Sequence, residues 1–159
     1  MSSYITSIQT LTIPNDGSRV LLGKKKIRFG AGKWNGFGGK VEQGETIMRA
    51  AARELEEEAG IRATSLEPAG IIDLYYEKEG LHIEGHVFTT YSFDGEPTES
   101  DEMIPQWFLY KDIPFDSMWV DDRLWFPFFL SKKLFHGEFW FADVDTMIRH
   151  TLEEVTQMS

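Results

Sequence analysis

Residues 46–59 constrain this chain more than any other stretch. Thr46 can cap a helix N-terminus, Ala50, Ala51 and Ala52 are strong helix formers, and Gly60 stands where a left-handed stop is expected. On that helix Glu54, Glu57 and Glu58 fall at i, i+3 and i+4, so at about 100° per residue they share one ~100° sector. The sector adjoins the apolar positions Ala51, Leu55 and Ala59, which sets the three acids at the edge of the buried face. Like charges so placed repel. A hard cation relieves the repulsion, and Mg²⁺ is typically held by one or two carboxylates, with water and substrate phosphates filling the other positions. Arg53, one turn before Glu57, can pair with it and fix its rotamer. Taken alone, a helix so rich in Glu reads more simply as a solvated acidic face.

The rest of the chain supplies strands around that helix. Residues 4–13 alternate β-branched and apolar types, the turn-forming run Pro14-Asn15-Asp16-Gly17-Ser18 follows, and Arg19 to Gly23 resumes the pattern, so the sequence predicts a hairpin. Residues 23–39 carry six glycines (23, 30, 32, 36, 38 and 39) beside Lys24, Lys25 and Lys26, a composition suited to a shaped loop where backbone approaches a ligand. Strands are predicted over 70–77, 81–93 and 105–109, with a polar loop over 94–102. A second helix is predicted over 121–133, from the spacing of Leu124, Trp125, Phe128 and Phe129. Residues 135–141 and 147–155 read as a strand pair, the last run being open to a helical reading as well. With no repeat, low-complexity run or boundary signal, the expectation is one domain over 1–159, an α/β/α sandwich with a central mixed β-sheet.

Composition narrows the chemistry. The 159 residues are 42% hydrophobic, enough for a sizeable core, and the formal charge of −10 argues against a partner gripped through many phosphates, such as polymeric DNA or RNA. With zero cysteines the chain has no disulfide, no thiolate nucleophile and no Cys-ligated zinc. No apolar run approaches the ~20 residues of a membrane helix, and Met1-Ser-Ser-Tyr-Ile-Thr-Ser shows no secretory pattern, so an intracellular protein is expected.

The span 39–61, GKVEQGETIMRAAARELEEEAGI, decides between the two readings of the acidic helix. Gly39 is followed after five residues by Glu45, after seven more by Arg53-Glu54-Leu55, then by Glu57-Glu58, Gly60 and Ile61. This resembles the Nudix box, the signature of hydrolases that cleave a nucleoside diphosphate linked to another moiety, and every fixed position of the pattern is met. The resemblance implies that Glu54, Glu57 and Glu58 bind Mg²⁺, with Mn²⁺ as a substitute ion, that Arg53 supports them, and that a backbone carbonyl near Gly38 adds a ligand. Glu102 matches a further family acid near the metals.

The flanks resemble the animal branch of that family that acts on oxidized purine nucleoside triphosphates. They are VLLGKKKIRFGAGKWNGFGGK (20–40), ESDEM (99–103), WFPFFL (125–130) and KKLFHGEF (132–139). By that likeness the expected activity is hydrolysis of 8-oxo-dGTP, 2-hydroxy-dATP and related compounds to monophosphate and pyrophosphate. A cytoplasmic monomer is expected, with nuclear or mitochondrial pools allowed. Asn35, Asp121 and Asp122 match positions that contact the base edge. An Asn amide offers donor and acceptor in one plane, and of two buried neighbouring carboxyls one stays protonated and donates while the other accepts. Trp119 and Phe29 match the aromatic walls; Thr10 and Lys25 match further pocket positions. Leu74 and Ile83 replace the Phe and Met of well-known mammalian relatives, and Val120 replaces a Pro, which keeps the pocket apolar and changes its shape. Two alternatives follow: a preference for methylated or other modified purines, or a nucleotide sensor without turnover.

Other motifs carry less. Gly32-Lys33 and Gly39-Lys40 lack the Ser or Thr that completes a P-loop. His82 and His86 stand roughly 13 Å apart along a strand, too far to share a metal. His136 and His150 show no evident partner acids.

Overall fold

The structure, a computed structural model, describes residues 3–157. Its largest sheet has five strands in the order β1 (Ile5–Pro14), β6 (Leu81–Thr90), β5 (Glu67–Tyr76), β9 (Phe135–Asp143) and β10 (Thr146–Glu154). It is mixed: β1 runs parallel to β6 and β5 parallel to β9, while β5 with β6 and β9 with β10 are antiparallel. A second sheet joins β3 (Trp34–Asn35), β2 (Arg19–Lys25) and β8 (Met103–Leu109), and a small ribbon pairs β4 (Arg62–Ala63) with β7 (Phe93–Asp94).

Strand β2 stands between two cores, because alternate side chains of a strand face opposite ways. Val20 and Leu22 join Ile13, Ile72, Val87, Phe135, Phe139 and Phe141 against Trp125, Phe126 and Phe129 of α2 (Asp122–Leu130). Leu21 joins Phe37, Ile61 and Met103 against Leu55 and Ala59 of α1 (Ile47–Ala59). Each helix thus has its own apolar cluster, one on either side of β2. This is an α/β fold with a central mixed sheet and two helices, as the sequence predicts.

Local signals place α1 as expected: the Thr46 side chain accepts from the Arg49 amide, and Gly60 takes φ 73°, ψ 16°. The hairpin over 4–23 is a correction. The turn forms, with Asn15 Oδ1 accepting from the Gly17 amide and Asp16 Oδ1 from the amides of Ser18 and Arg19. Yet only an isolated bridge, Asn15 to Val20, links its arms, because β1 is taken by β6 and β2 by β8. Long-range pairing with other strands outcompetes the local one. Helix α2 is also shorter than 121–133, ending at Leu130 before Lys132 adopts φ 58°.

The outer edge of β1 is covered by the glycine-rich segment that leads into α1. Thr12 and Phe37 exchange backbone hydrogen bonds, Thr10 donates to the Gly39 carbonyl, and Val41 donates to that of Ile8. Those bonds fix where Gly38 and Gly39 stand relative to the acids of α1.

Candidate active site

Gly38 packs against strand backbone where no side chain fits, and Gly39 packs against the Glu54 carboxylate. A Cβ on Gly38 would lie 1.7 Å from the Thr10 carbonyl oxygen, and one on Gly39 would lie 2.7 Å from Glu54 Oε1. Bare backbone therefore meets the acidic sector of α1. The Gly38 amide donates to Glu58 Oε1 at 2.9 Å, and Glu58 is only 7% exposed. Burial pushes the Glu58 carboxyl up to about 8; the Gly38 amide and Lys25 work against that rise, and the charges of Glu54 and Glu102 add to it. Burial likewise raises Glu54, with Arg53 opposing and Glu57 and Glu102 reinforcing.

Arg53 organizes the remaining acids. Its Nε and Nη2 bind the two oxygens of Glu45 at 2.7 and 3.0 Å, Nη1 reaches Glu54 at 2.9 Å and Glu57 at 3.3 Å, and Nη2 also donates to the Lys40 carbonyl. That bidentate grip holds Glu45 at about 2, well below the usual carboxylate range, and pushes Arg53 itself further up. Arg53 does pair with Glu57, but its shorter bonds go to Glu45 and Glu54, so it braces the loop as much as the acids.

Glu54, Glu58 and Glu102 stand within electrostatic reach of one another, while the Glu57 side chain is 58% exposed and turned toward Arg53. Glu102 also meets Arg28 at 3.3 Å, and its carbonyl accepts from the Lys26 amide. Among the described residues no three Asp, Glu, His or Cys side chains converge as a closed metal cage. The donor chemistry nevertheless fits a hard divalent cation: the donors are oxygens, their charges raise one another, and such ions use few carboxylates and keep waters. Glu54, Glu57, Glu58, Glu102 and the Gly38 carbonyl are the groups that would hold it.

Glu58 and Gly38 open into a cavity of about 610 Å³ that runs to the α2 end of the molecule. Thr10, Lys25, Phe29, Asn35, Leu74, Ile83, Trp119, Asp121 and Asp122 all line it, so the structure brings together every base- and sugar-side residue picked from the sequence. Leu74 and Ile83 are cross-strand neighbours on β5 and β6. Thr10 is buried and its hydroxyl has no hydrogen-bond partner among the described residues. Phe29 is 64% exposed at the rim, its ring 5.2 Å from that of Trp119.

Asp121 and Asp122 are both buried, and neither side chain caps α2 in the simple sense. Asp121 Oδ2 accepts from Trp125 Nε1 at 2.9 Å, and Asp122 Oδ2 from the Trp119 amide at 3.1 Å. Burial raises both, Asp122 well above the ordinary value, where the charge of Asp121 adds to burial. Burial therefore disfavours the charged form of both carboxyls, and of Asp122 more strongly. Tyr76, in the same wall, is pushed up by burial and by both aspartates.

Sequence reasoning missed Gln9, Lys33 and Tyr76. Lys33 did carry a signal, the Gly-Lys pair set aside as an incomplete P-loop. The reading of His136 also needs correction: its Nε2 lies 2.7 Å from Asp73 Oδ2, a partner brought across the sheet by β5, and Nε2 of His82 lies 2.7 Å from the other oxygen of the same carboxylate.

Fold and site together define an α/β domain with a cavity lined by Glu58, Lys25 and Lys40 on the α1 side and by Trp119 and the paired carboxyls on the α2 side. The family model described as NUDIX domain matches residues 7–129. The chain is 48% identical over 155 residues to the oxidized purine nucleoside triphosphate hydrolase of Danio rerio, covering 98% of this chain and 99% of that protein. It is 47% identical over 148 residues to the protein of the same name from Mus musculus, covering 93% and 95%. The crystal structure of a mutator MutT protein from Bacillus halodurans superposes with a TM-score of 0.82 at 27% identity, over 92% of this chain and 97% of that one. The chain belongs to the Nudix family of hydrolases, whose members generally need a divalent metal.

Proposed function

We propose that this protein hydrolyses oxidized purine nucleoside triphosphates, 8-oxo-dGTP and 2-hydroxy-dATP among them, to the monophosphate and pyrophosphate, removing damaged precursors from the nucleotide pool. The observation that carries the reading is the single cavity joining Glu58 and Gly38 to Asn35, Trp119, Asp121 and Asp122. A phosphate chain on the α1 side and a purine on the other fit that division. The names of the two vertebrate relatives agree with it.

When bound on the Glu face, Mg²⁺ would supply Lewis-acid stabilization of the phosphate oxygens. The chain's own residues do the rest. Arg53 and Glu45 hold the loop and the helix acids in place. Lys25 faces the cavity where a sugar or phosphate passes. Asn35 and the Asp121–Asp122 pair, whose burial favours keeping a proton, offer donors and acceptors to the base edge, and Trp119 and Phe29 wall its faces. A proton that moves between the two carboxyls changes the pattern offered, which allows oxidized guanine and oxidized adenine in one site. The proposed acting form is a monomer in the cytoplasm. Among the described residues no helix is long and apolar enough to cross a membrane.

The test is pyrophosphate release from 8-oxo-dGTP beside dGTP, with and without Mg²⁺, for the wild type and Glu58→Gln. A Mg²⁺-dependent preference for the oxidized nucleotide, lost in the variant, supports the reading. Equal turnover of both nucleotides refutes the specificity, and no turnover across a panel of modified purines refutes the enzyme.

A further inference from the structure

Lys33 lies outside the Nudix box, yet three features of the base end of the cavity meet at its side chain. Its Nζ stands 5.1 Å from the centre of the Trp119 ring, within cation–π range. The same Nζ is 3.9 Å from Asp145 in the turn between β9 and β10, beside Val144, which lines the cavity. The lysine is firmly rooted. Its carbonyl accepts from the Lys25 amide at 3.0 Å, its amide donates to Gly30 at 2.9 Å, and the Gly32 amide donates to the Lys25 carbonyl at 2.8 Å, which pinches the loop 26–32 shut at its base. Gly30 in that loop comes so near Trp119 that a Cβ would meet the ring at 2.9 Å.

Phe29, Gly30 and Lys33 therefore all hold one indole from one loop, and Lys33 alone among them also reaches the β9–β10 turn. We propose that Lys33 is a positioning residue for purine recognition, fixing the Trp119 wall and tying the 26–33 loop to the β9–β10 turn across the base end of the cavity. The proposal rests on the nucleotide reading above and assigns a residue to its selectivity.

A second consequence separates this role from simple packing. The charged and titratable groups around Asp122 are Asp121 beside it, Tyr76 from β5, with Glu79 acting on Tyr76 from the turn that follows, and Lys33 from the loop. Burial and Asp121 raise Asp122; the Trp119 amide and Lys33 oppose that rise. Removing the lysine charge lets the pair keep its proton to higher pH, whereas a neutral packing residue has no such effect.

The experiment measures kcat and KM for 8-oxo-dGTP and 2-hydroxy-dATP between pH 6 and pH 10 with Mg²⁺, for wild type, Lys33→Gln and Lys33→Arg. Lys33→Gln is expected to raise KM by about 2–5-fold, the loss of one cation–π contact. It should also change the ratio of kcat/KM between the two substrates and move the alkaline limb of kcat/KM to higher pH. Lys33→Arg, which keeps the charge and the stacking, should restore all three. Lys33→Gln matching wild type in KM and pH profile overturns the proposal, as does Lys33→Arg being as impaired as Lys33→Gln. A wild type that turns over neither nucleotide overturns the functional reading and this inference with it, an outcome distinct from an active wild type indifferent to Lys33.

Discussion

The Gly38 amide donates to Oε1 of Glu58 at 2.9 Å, so the loop that covers the edge of β1 is fastened to a buried acid of α1. Among the described residues no other group hydrogen-bonds that carboxylate, and the nearby acids Glu54 and Glu102 repel it. Glu58→Gln keeps an acceptor for the Gly38 amide and removes the charge. Activity should fall by about 100-fold or more, because a neutral amide is a poor ligand for a hard cation. In chelator at pH 8 the same variant should melt above the wild type, since an uncompensated buried charge is gone. Activity assays and thermal melts in EDTA check the two halves; a variant that is both inactive and less stable in EDTA would contradict the reading of Glu58 as a strained ligand.

Arg53 bridges Glu45 on the loop and Glu54 on the helix through different N–H groups of its guanidinium. Arg53→Lys retains the charge but has no planar fork with which to hold both. The expected outcome is a fall in kcat of about 10–100-fold, the usual scale for losing a residue that orients metal ligands, with the circular dichroism spectrum preserved. Loss in KM alone would show that Arg53 serves substrate binding instead.

Gly38→Ala tests the close approach to β1. Its new Cβ would fall 1.7 Å from the Thr10 carbonyl, which is backbone and has no rotamer to escape into. We expect a loss of about 2–3 kcal/mol or more in stability and inactivity even where the fold persists, because the Glu58 hydrogen bond must move as well. Urea unfolding measures the first and nucleotide turnover the second. Gly32→Ala, where a Cβ meets nothing within 4 Å but φ is 90°, should act only through backbone strain.

What the sequence made legible was local. Thr46, the alanines and Gly60 announce α1 through capping and propensity, and the Glu spacing on it is a consequence of helix geometry. The base-side residues were found through resemblance, since nothing in the spacing of Asn35, Trp119, Asp121 and Asp122 says they share a cavity. What stayed hidden depends on strand partners. The turn at 14–18 is real, but β1 and β2 separate because each finds a longer partner elsewhere. His136 has Glu138 two residues along its own strand, but that carboxylate accepts from Thr151, and the parallel pairing of β5 with β9 brings Asp73 to the imidazole instead. Lys33 likewise gains its surroundings from Trp119 and Asp145, more than 80 residues away in sequence.

The Asp121–Asp122 pair gives a pH-dependent stability that can be separated from its role in binding. Burial raises both carboxyls above the ordinary value, and each charge discourages the other, so the folded state binds more protons than the unfolded state over the interval between the two sets of pKa values. For an acid whose folded pKa is raised, stability is highest where both states are protonated. It declines as pH rises through the unfolded value near 4 and stops declining only above the folded one. Other carboxylates contribute in the opposite direction: Asp16, bonded to backbone amides and to Arg19, is lowered to about 2 and loses its contribution as pH falls. The pair's share is therefore read from a difference. Asp122→Asn keeps the shape and the acceptor for the Trp119 amide, and removes one titrating group together with the charge that burdens Asp121. Urea midpoints for wild type and Asp122→Asn should converge near pH 4, and the variant should gain on the wild type as pH rises above it. A constant difference across that range would mean that the pair is not held protonated by burial.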